Sequence, residues 1–250
     1  MTEITDTQLL RYSRQIMLPE IDIAGQEKLL DAHVLILGMG GLGSPAALYL
    51  ASAGVGRLTL CDHDAVEVSN LQRQIVHRQT SLGESKVASA KRTLSEINPD
   101  VQLDTLDHKL QGDALLQAVD DADLVLDATD NFLARYAIND ACWQSTTPLV
   151  SGAAIRWEGQ VAVFDPRQAD SPCYRCLYAE GDDEALNCSE NGVLGTVVGI
   201  IGTCQAMEAI KLITGAGEPL TGHVLYFDGK RMDWRKLSLG KNPRCVTCAA

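Results

Sequence analysis

The chain has 250 residues, 46% hydrophobic and 22% charged, enough to bury a substantial core without disulfide or metal staples. A net charge of −12 argues against a nucleic-acid backbone or an anionic membrane surface as partner, because either requires Lys and Arg in excess along one face. The opening Met1-Thr2-Glu3 lacks a basic segment followed by an apolar run, and no uninterrupted apolar stretch approaches the roughly 18 residues of a membrane span. A cytoplasmic protein is therefore expected.

In chain order, residues 1–30 predict a helical arm of two short helices. Leu9, Leu10 and Tyr12, then Ile16 and Leu18, recur near helical spacing, and Pro19 breaks them from the next segment. Residues 31–152 predict a Rossmann-like half. A buried strand at His33 to Leu37 precedes a helix at Ser44 to Ala53, and a second strand ends at Asp62. A helix over Gly83 to Ile97 stops at Asn98-Pro99. Strands at Val101 to Leu106 and Leu124 to Asp127 come next, then a helix from Phe132 to Gln144 and a fifth strand opening at Leu149. This alternation implies an α/β fold with a doubly wound, mostly parallel sheet.

Residues 153–250 change pattern while belonging to the same continuous domain. Gln160 to Phe164 alternates as a strand, and Val193 to Ile213 reads as a long apolar helix whose Gly195, Gly199 and Gly202 permit close packing. Val224 to Asp228 and Met232 to Leu237 predict antiparallel strands joined through Gly229-Lys230.

Gly38-x-Gly40-x-x-Gly43 lies directly between a strand and a helix, and Asp62 ends the next strand about 20 residues later, the arrangement of a nucleotide-binding turn. Glycines let the backbone approach phosphate oxygens, the helix N-terminus offers N–H groups, and the acid can accept ribose hydroxyls. Tight strand-to-helix packing alone would also explain the glycines, and NAD would suit the same turn. Against NAD, no hydride-transfer site is evident in the second half.

Ser69-Asn70-Leu71-Gln72-Arg73-Gln74 and Lys86 place polar and cationic groups near the phosphate end, which suits a triphosphate. Carboxylate attack at the α-phosphate needs charge offset on the phosphoryl oxygens and on departing pyrophosphate, a task for Asn70, Arg73 and Lys86. At the end of the fourth strand stands Asp127-Ala128-Thr129-Asp130-Asn131. Asp130 can hold magnesium beside a nucleotide, whereas Asp127 can equally cap the following turn.

Of eight cysteines, four form the pairs Cys173/Cys176 and Cys245/Cys248; Cys61, Cys142, Cys188 and Cys204 are scattered. Paired spacing in a chain of this size points to metal or redox chemistry. Four thiolates suit tetrahedral zinc, although a separation this long is unusual for a zinc ribbon, and a redox Cys-x-x-Cys competes.

Arg11-Tyr12-Ser13-Arg14-Gln15-Ile16, the glycine turn, Ser69 to Gln74 and Thr129-Asp130-Asn131, in this order and followed by both cysteine pairs, closely resemble the MoeB/ThiF family, bacterial relatives of ubiquitin-activating enzymes. The resemblance spans nearly the whole chain. It implies adenylylation by ATP of the C-terminal carboxylate of a small ubiquitin-like sulfur carrier ending in Gly-Gly. It also implies a homodimer in which Arg14 reaches the neighbouring subunit's ATP, and nucleotide contacts at Gly41, Asp62, Asn70, Arg73, Lys86 and Asp130, with Asp130 linked to magnesium. The resemblance favours structural zinc at the four paired cysteines.

In the thiamine branch of that family a cysteine at the place of Cys188 is linked to a covalent bond with the carrier; a loop thiol without an essential role is the alternative here. Ser151 to Arg156 and Glu158-Gly159-Gln160 look like the molybdopterin type, so the expected carrier is the small subunit of molybdopterin synthase. Phe227 to Lys230 and Gly195 to Gly199 lean toward the thiamine-thiazole carrier. From another class, an NAD-dependent oxidoreductase or an inactive nucleotide-binding scaffold remains.

Overall fold

The computed structural model describes residues 4–179 and 192–249. Cys188 therefore lies outside the described residues. One mixed sheet of eight strands organises the chain, in the order β3-β2-β1-β4-β5-β6-β7-β8. The strands are β1 (His33–Leu37), β2 (Arg57–Cys61), β3 (Gln102–Leu106), β4 (Leu124–Asp127), β5 (Leu149–Ile155), β6 (Glu158–Phe164), β7 (His223–Asp228) and β8 (Asp233–Ser238). Neighbours from β3 across to β5 pair in parallel, and β5 through β8 pair antiparallel. The α/β class, the doubly wound parallel half and its antiparallel continuation are thus as expected. The junction at 152/153 falls inside β5, so both halves share a strand.

Strand β1 is buried at every position, as a continuous apolar run requires when both sheet faces are covered. Val34 and Ile36 pack on one face with α4 (Gly43–Ala53), α5 (Lys86–Ile97) and α9 (Gly195–Thr214). Leu35 and Leu37 face the opposite way, toward α6 (Gly112–Asp120), α7 (Phe132–Ser145) and the one-turn α8 (Tyr174–Leu177). This alternation carries the two-sided core. Helix α6 has no counterpart in the sequence reading; only Leu115 and Val119 of it are buried, and its N-cap Gln111 makes no side-chain cap bond, so the usual start signal is missing.

The arm holds three helices rather than two: α1 (Asp6–Arg11), α2 (Ser13–Ile16) and α3 (Asp22–Asp31). Thr5 and Gln8 form a reciprocal capping box that starts α1. Tyr12 ends that helix and is itself buried, its hydroxyl accepting a hydrogen bond from Asn98 Nδ2 at 2.8 Å, which seats the arm on the core.

Helix α9 is long and apolar enough by composition to cross a membrane, yet it packs against α3, α4, β5 and β6 with Val197, Val198 and Ile201 buried. Gly202 is where it meets α4, since a methyl group there would run into the Leu42 carbonyl oxygen and the Pro45 ring. Gly199 has open space instead, so only part of the glycine series serves close packing.

Candidate active site

Chain order reverses between β1 and β4: from β1 the sheet proceeds outward through β2 and β3, whereas β4 leads the other way. A crevice opens at the carboxyl ends of the strands at such a switch point. Here it is a cleft of about 560 Å³, flanked by the glycine turn after β1 and by Thr129-Asp130-Asn131 after β4.

The turn is shaped by backbone sterics. Gly38 has φ +96°, a left-handed conformation, and a Cβ there would lie 2.7 Å from the Ala128 carbonyl oxygen; a Cβ on Gly43 would strike the Gly38 carbonyl oxygen. These two glycines close the turn on itself, while Gly40 and Gly41 line the cleft, as does Gly38. Gly43 does not. Asp62 Oδ2 accepts the Met39 N–H at 2.7 Å, tying the end of β2 to the turn, and its Oδ1 accepts from Asp64 N–H. Asp62 therefore shapes the turn as well as facing the cleft.

Lys86 begins α5 and its side chain is only 7% exposed. Its ammonium donates to Asp64 Oδ2 at 2.7 Å and stands 3.8 Å from Asp62 Oδ2, so a buried charge is paired on both sides. Burial alone would raise the Asp64 carboxyl, but the hydrogen bond and charge of Lys86 hold it below the usual range. Sequence reading missed Asp64; its only signal was the i+2 step from Asp62 in the same loop.

Arg73 lines the cleft, its guanidinium donating to the Ser69 carbonyl at 2.9 Å. Ser69 and Asn70 do not reach the cleft wall. Ser69 Oγ donates to Glu67, and Asn70 Oδ1 accepts the Glu67 N–H while its carbonyl receives the Arg73 and Gln74 N–H groups. Both build the turn that presents Arg73. His77 completes this wall from behind. Its ring lies 3.0 Å from the Met39 carbonyl and 3.0 Å from Ser89 Oγ, and burial pushes its pKa down.

On the opposite wall, Asp130 is exposed into the cleft. Asn131 caps α7 by accepting the Ala134 N–H at 2.8 Å. Asp127 is fully buried, its carboxylate accepting from Thr129 N–H, Thr129 Oγ1 and Ser151 Oγ, the turn-capping alternative raised from the sequence. Arg135, also unforeseen, donates to the Thr129 carbonyl at 2.8 Å and fixes the loop carrying Asp130. Cys61 borders the cleft, but burial and Asp62 push its thiol up to about 11, unsuited to nucleophilic work. Arg14 sits exposed on α2 and is not part of this chain's cleft.

Cys173, Cys176, Cys245 and Cys248 converge, their sulfurs all within 4.8 Å of one another. Cys173 Sγ is 3.5 Å from Cys245 Sγ and Cys176 Sγ is 3.3 Å from Cys248 Sγ, far beyond a disulfide bond. Sulfurs on a tetrahedral zinc, with bonds of about 2.3 Å, would lie about 3.8 Å apart, so the donors fit that ion. Burial opposes ionisation of Cys245, but the backbone N–H groups of Cys248 and Thr247 outweigh it and bring the thiol down to about 7. Burial and the neighbouring sulfurs push Cys173 up. Trp143 of α7 covers the cluster.

The chain matches the ThiF family over residues 12–247. It is 47% identical over 248 residues to a molybdopterin-synthase adenylyltransferase of Salmonella typhimurium, covering 99% of both chains. It is also 47% identical over 245 residues to the sulfur carrier protein ThiS adenylyltransferase of Escherichia coli, covering 98% of this chain and 97% of that one. Among solved structures, E. coli MccB with ATP shares the fold with TM-score 0.83 at 23% identity, over 96% of this chain and 75% of the other. A full-length match at this identity, on a glycine turn and cleft of this form, makes the chain a member of the ThiF family.

Proposed function

We propose that the protein adenylylates the C-terminal glycine carboxylate of a small ubiquitin-like sulfur carrier, consuming ATP and releasing pyrophosphate. The observation that carries this reading is the convergence of Arg73, Lys86, Asp62 and Asp130 on one cleft beside the glycine turn. The adenylyltransferases among its near full-length relatives support it.

The chemistry is positioning plus charge stabilisation. A carboxylate oxygen of the carrier attacks the α-phosphorus of ATP, the bond from that phosphorus to the bridging oxygen of the β-phosphate breaks, and pyrophosphate leaves with the electron pair. With an unperturbed pKa of about 3.5 the terminal carboxylate is already ionised near neutral pH, so no general base is needed. Arg73 and Lys86 offset charge on the phosphoryl oxygens, Asp62 accepts ribose hydroxyls, and the glycine turn admits the phosphates. Asp130 is the group available to a magnesium ion, which would supply further charge neutralisation when bound. The four cysteines would hold zinc with no open coordination position, tying the C-terminal tail to the segment after β6.

As carrier we favour the small subunit of molybdopterin synthase, on the β5 and β6 segment Ser151 to Gln160; the thiamine-thiazole carrier is the second reading, on Phe227 to Lys230. A homodimer in which Arg14 serves the neighbouring subunit's nucleotide is implied by the same family resemblance. ATP–pyrophosphate exchange with each purified carrier tests the proposal. Exchange with one carrier alone names it, exchange with neither removes the activity, and dye reduction by NADH would instead favour an oxidoreductase.

A further inference from the structure

Among the described residues, Gln74 is the one cleft-lining side chain whose polar atoms are spent neither on the fold nor on an ion pair while being almost wholly buried. It is 4% exposed, and its Oε1 is sealed from solvent without a hydrogen-bond partner. Other buried amides of this protein hold the fold through bonds of their own; even Gln205, whose Oε1 is likewise unpartnered, donates its Nε2 to the Asp127 and Val150 carbonyls. Gln26 donates to the Ala53 carbonyl, Asn98 to Tyr12 and the Ala51 carbonyl, and Asn139 accepts the Tyr174 N–H. Gln74 Nε2, by contrast, donates to no group of the described residues, so its N–H groups are the capacity left for an acceptor that arrives with a ligand.

Geometry indicates which ligand group that is. A methyl group placed on Gly40 would lie 3.6 Å from Gln74 Nε2, so the amide hangs directly beside the glycine turn. The wall bearing it is rigid: Gln74 N–H donates to the Asn70 carbonyl, and His77, one turn on, contacts the Met39 carbonyl of the same glycine turn. Arg73 is its chain neighbour and lines the same cleft. A neutral N–H donor between a glycine turn and a guanidinium suits an anionic oxygen.

We infer, resting on the adenylylation reading, that Gln74 is a further binding group of the site, its Nε2–H donating to a non-bridging oxygen of the ATP phosphate chain beside Gly40. A fixed donor of this kind needs no reorganisation as negative charge shifts during phosphoryl transfer, so its effect is felt in kcat as well as in nucleotide affinity.

Two substitutions test it on the full chain. Gln74→Met keeps the length and removes both the donor and the orphaned acceptor, and Gln74→Glu keeps the shape but turns a carboxylate toward the phosphates. Expected results are a thermal midpoint for Gln74→Met equal to or above the parent, with exchange kcat lower on the order of 10²-fold. For Gln74→Glu, calorimetric titration with ATP alone should show affinity weaker on the order of tenfold or more. ATP affinity and kcat within about twofold of the parent in both variants would overturn the inference. So would a Gln74→Met loss that only tracks a lowered thermal midpoint. The ATP titration needs no carrier, so failure of the parent to catalyse exchange would count against the adenylylation reading while Gln74 is still decided.

Discussion

Thr247, three residues from the end of the chain, donates its hydroxyl to Asp140 Oδ1 of helix α7 at 2.7 Å. The same carboxylate receives Arg175, from between Cys173 and Cys176, at 3.1 and 2.8 Å. One side chain of the Rossmann half thus clamps both cysteine knuckles, while the other end of α7 begins beside Asp130. Asp140→Ala should leave the four sulfurs present but poorly oriented. Metal release to a chelator, followed by a colorimetric zinc indicator, should accelerate on the order of 10- to 100-fold, as for other groups that orient metal-bearing segments. Cys248→Ser should release the metal outright and expose the C-terminal tail to protease.

Arg73→Ala is expected to lower carrier-dependent pyrophosphate exchange on the order of 10²-fold or more, with little change in thermal midpoint. The reason is that Arg73 is half-buried and its guanidinium is held by the Ser69 carbonyl, so the fold loses little when it is removed. Unchanged exchange in this variant would remove it from the reaction.

Asp130→Asn should weaken the magnesium dependence of exchange without affecting folding, because its carboxylate is exposed and the loop is held by Arg135 and Asn131 instead. The measurement is the magnesium concentration giving half-maximal exchange, which should rise by about tenfold or more. No displacement of that curve would contradict the assignment.

Gly43→Ala should act on the fold before it acts on chemistry. The added Cβ meets the Gly38 carbonyl oxygen, so the turn or the first turn of α4 must move. A cost on the order of 1–3 kcal/mol is expected. Calorimetry should show it as a fall of about 2–4 °C in the thermal midpoint per kcal/mol.

His77 gives a pH dependence of definite sign. Burial holds its folded pKa below the ordinary value, opposed by the Met39 carbonyl and Asp62 and aided by Lys86 and Arg78. As pH falls through about 6.5 the unfolded chain takes up the proton first, so this contribution to stability is complete above about 6.5 and is lost on acidification toward the folded value. Denaturant midpoints between about pH 8 and 5 should fall less steeply in His77→Gln, which can still donate to the Met39 carbonyl. Identical slopes in the two proteins would show that the imidazole does not take part.

Local chemistry was legible in the chain itself. A buried apolar run followed by glycines specifies strand, turn and helix N-terminus within a dozen residues, and this put β1, Gly38 to Gly43 and α4 in place, because turn sterics and strand burial depend on neighbours in sequence. The strand-end acids and the double Cys-x-x-Cys were visible for the same reason. What only the tertiary structure decided is how distant segments share their polar groups. Lys86 is neutralised by Asp64, Asn70 is consumed in building a turn, Asp127 is enclosed by Thr129 and Ser151, and Gln74 is left in the cleft wall with its amide N–H groups unspent. Helix α6 escaped notice although Leu115, Leu116 and Val119 recur at helical spacing, because it is short and no side chain caps its start. Which side chains keep unpaired capacity for a ligand depends on desolvation and on partners far away along the chain, and no local pattern encodes that.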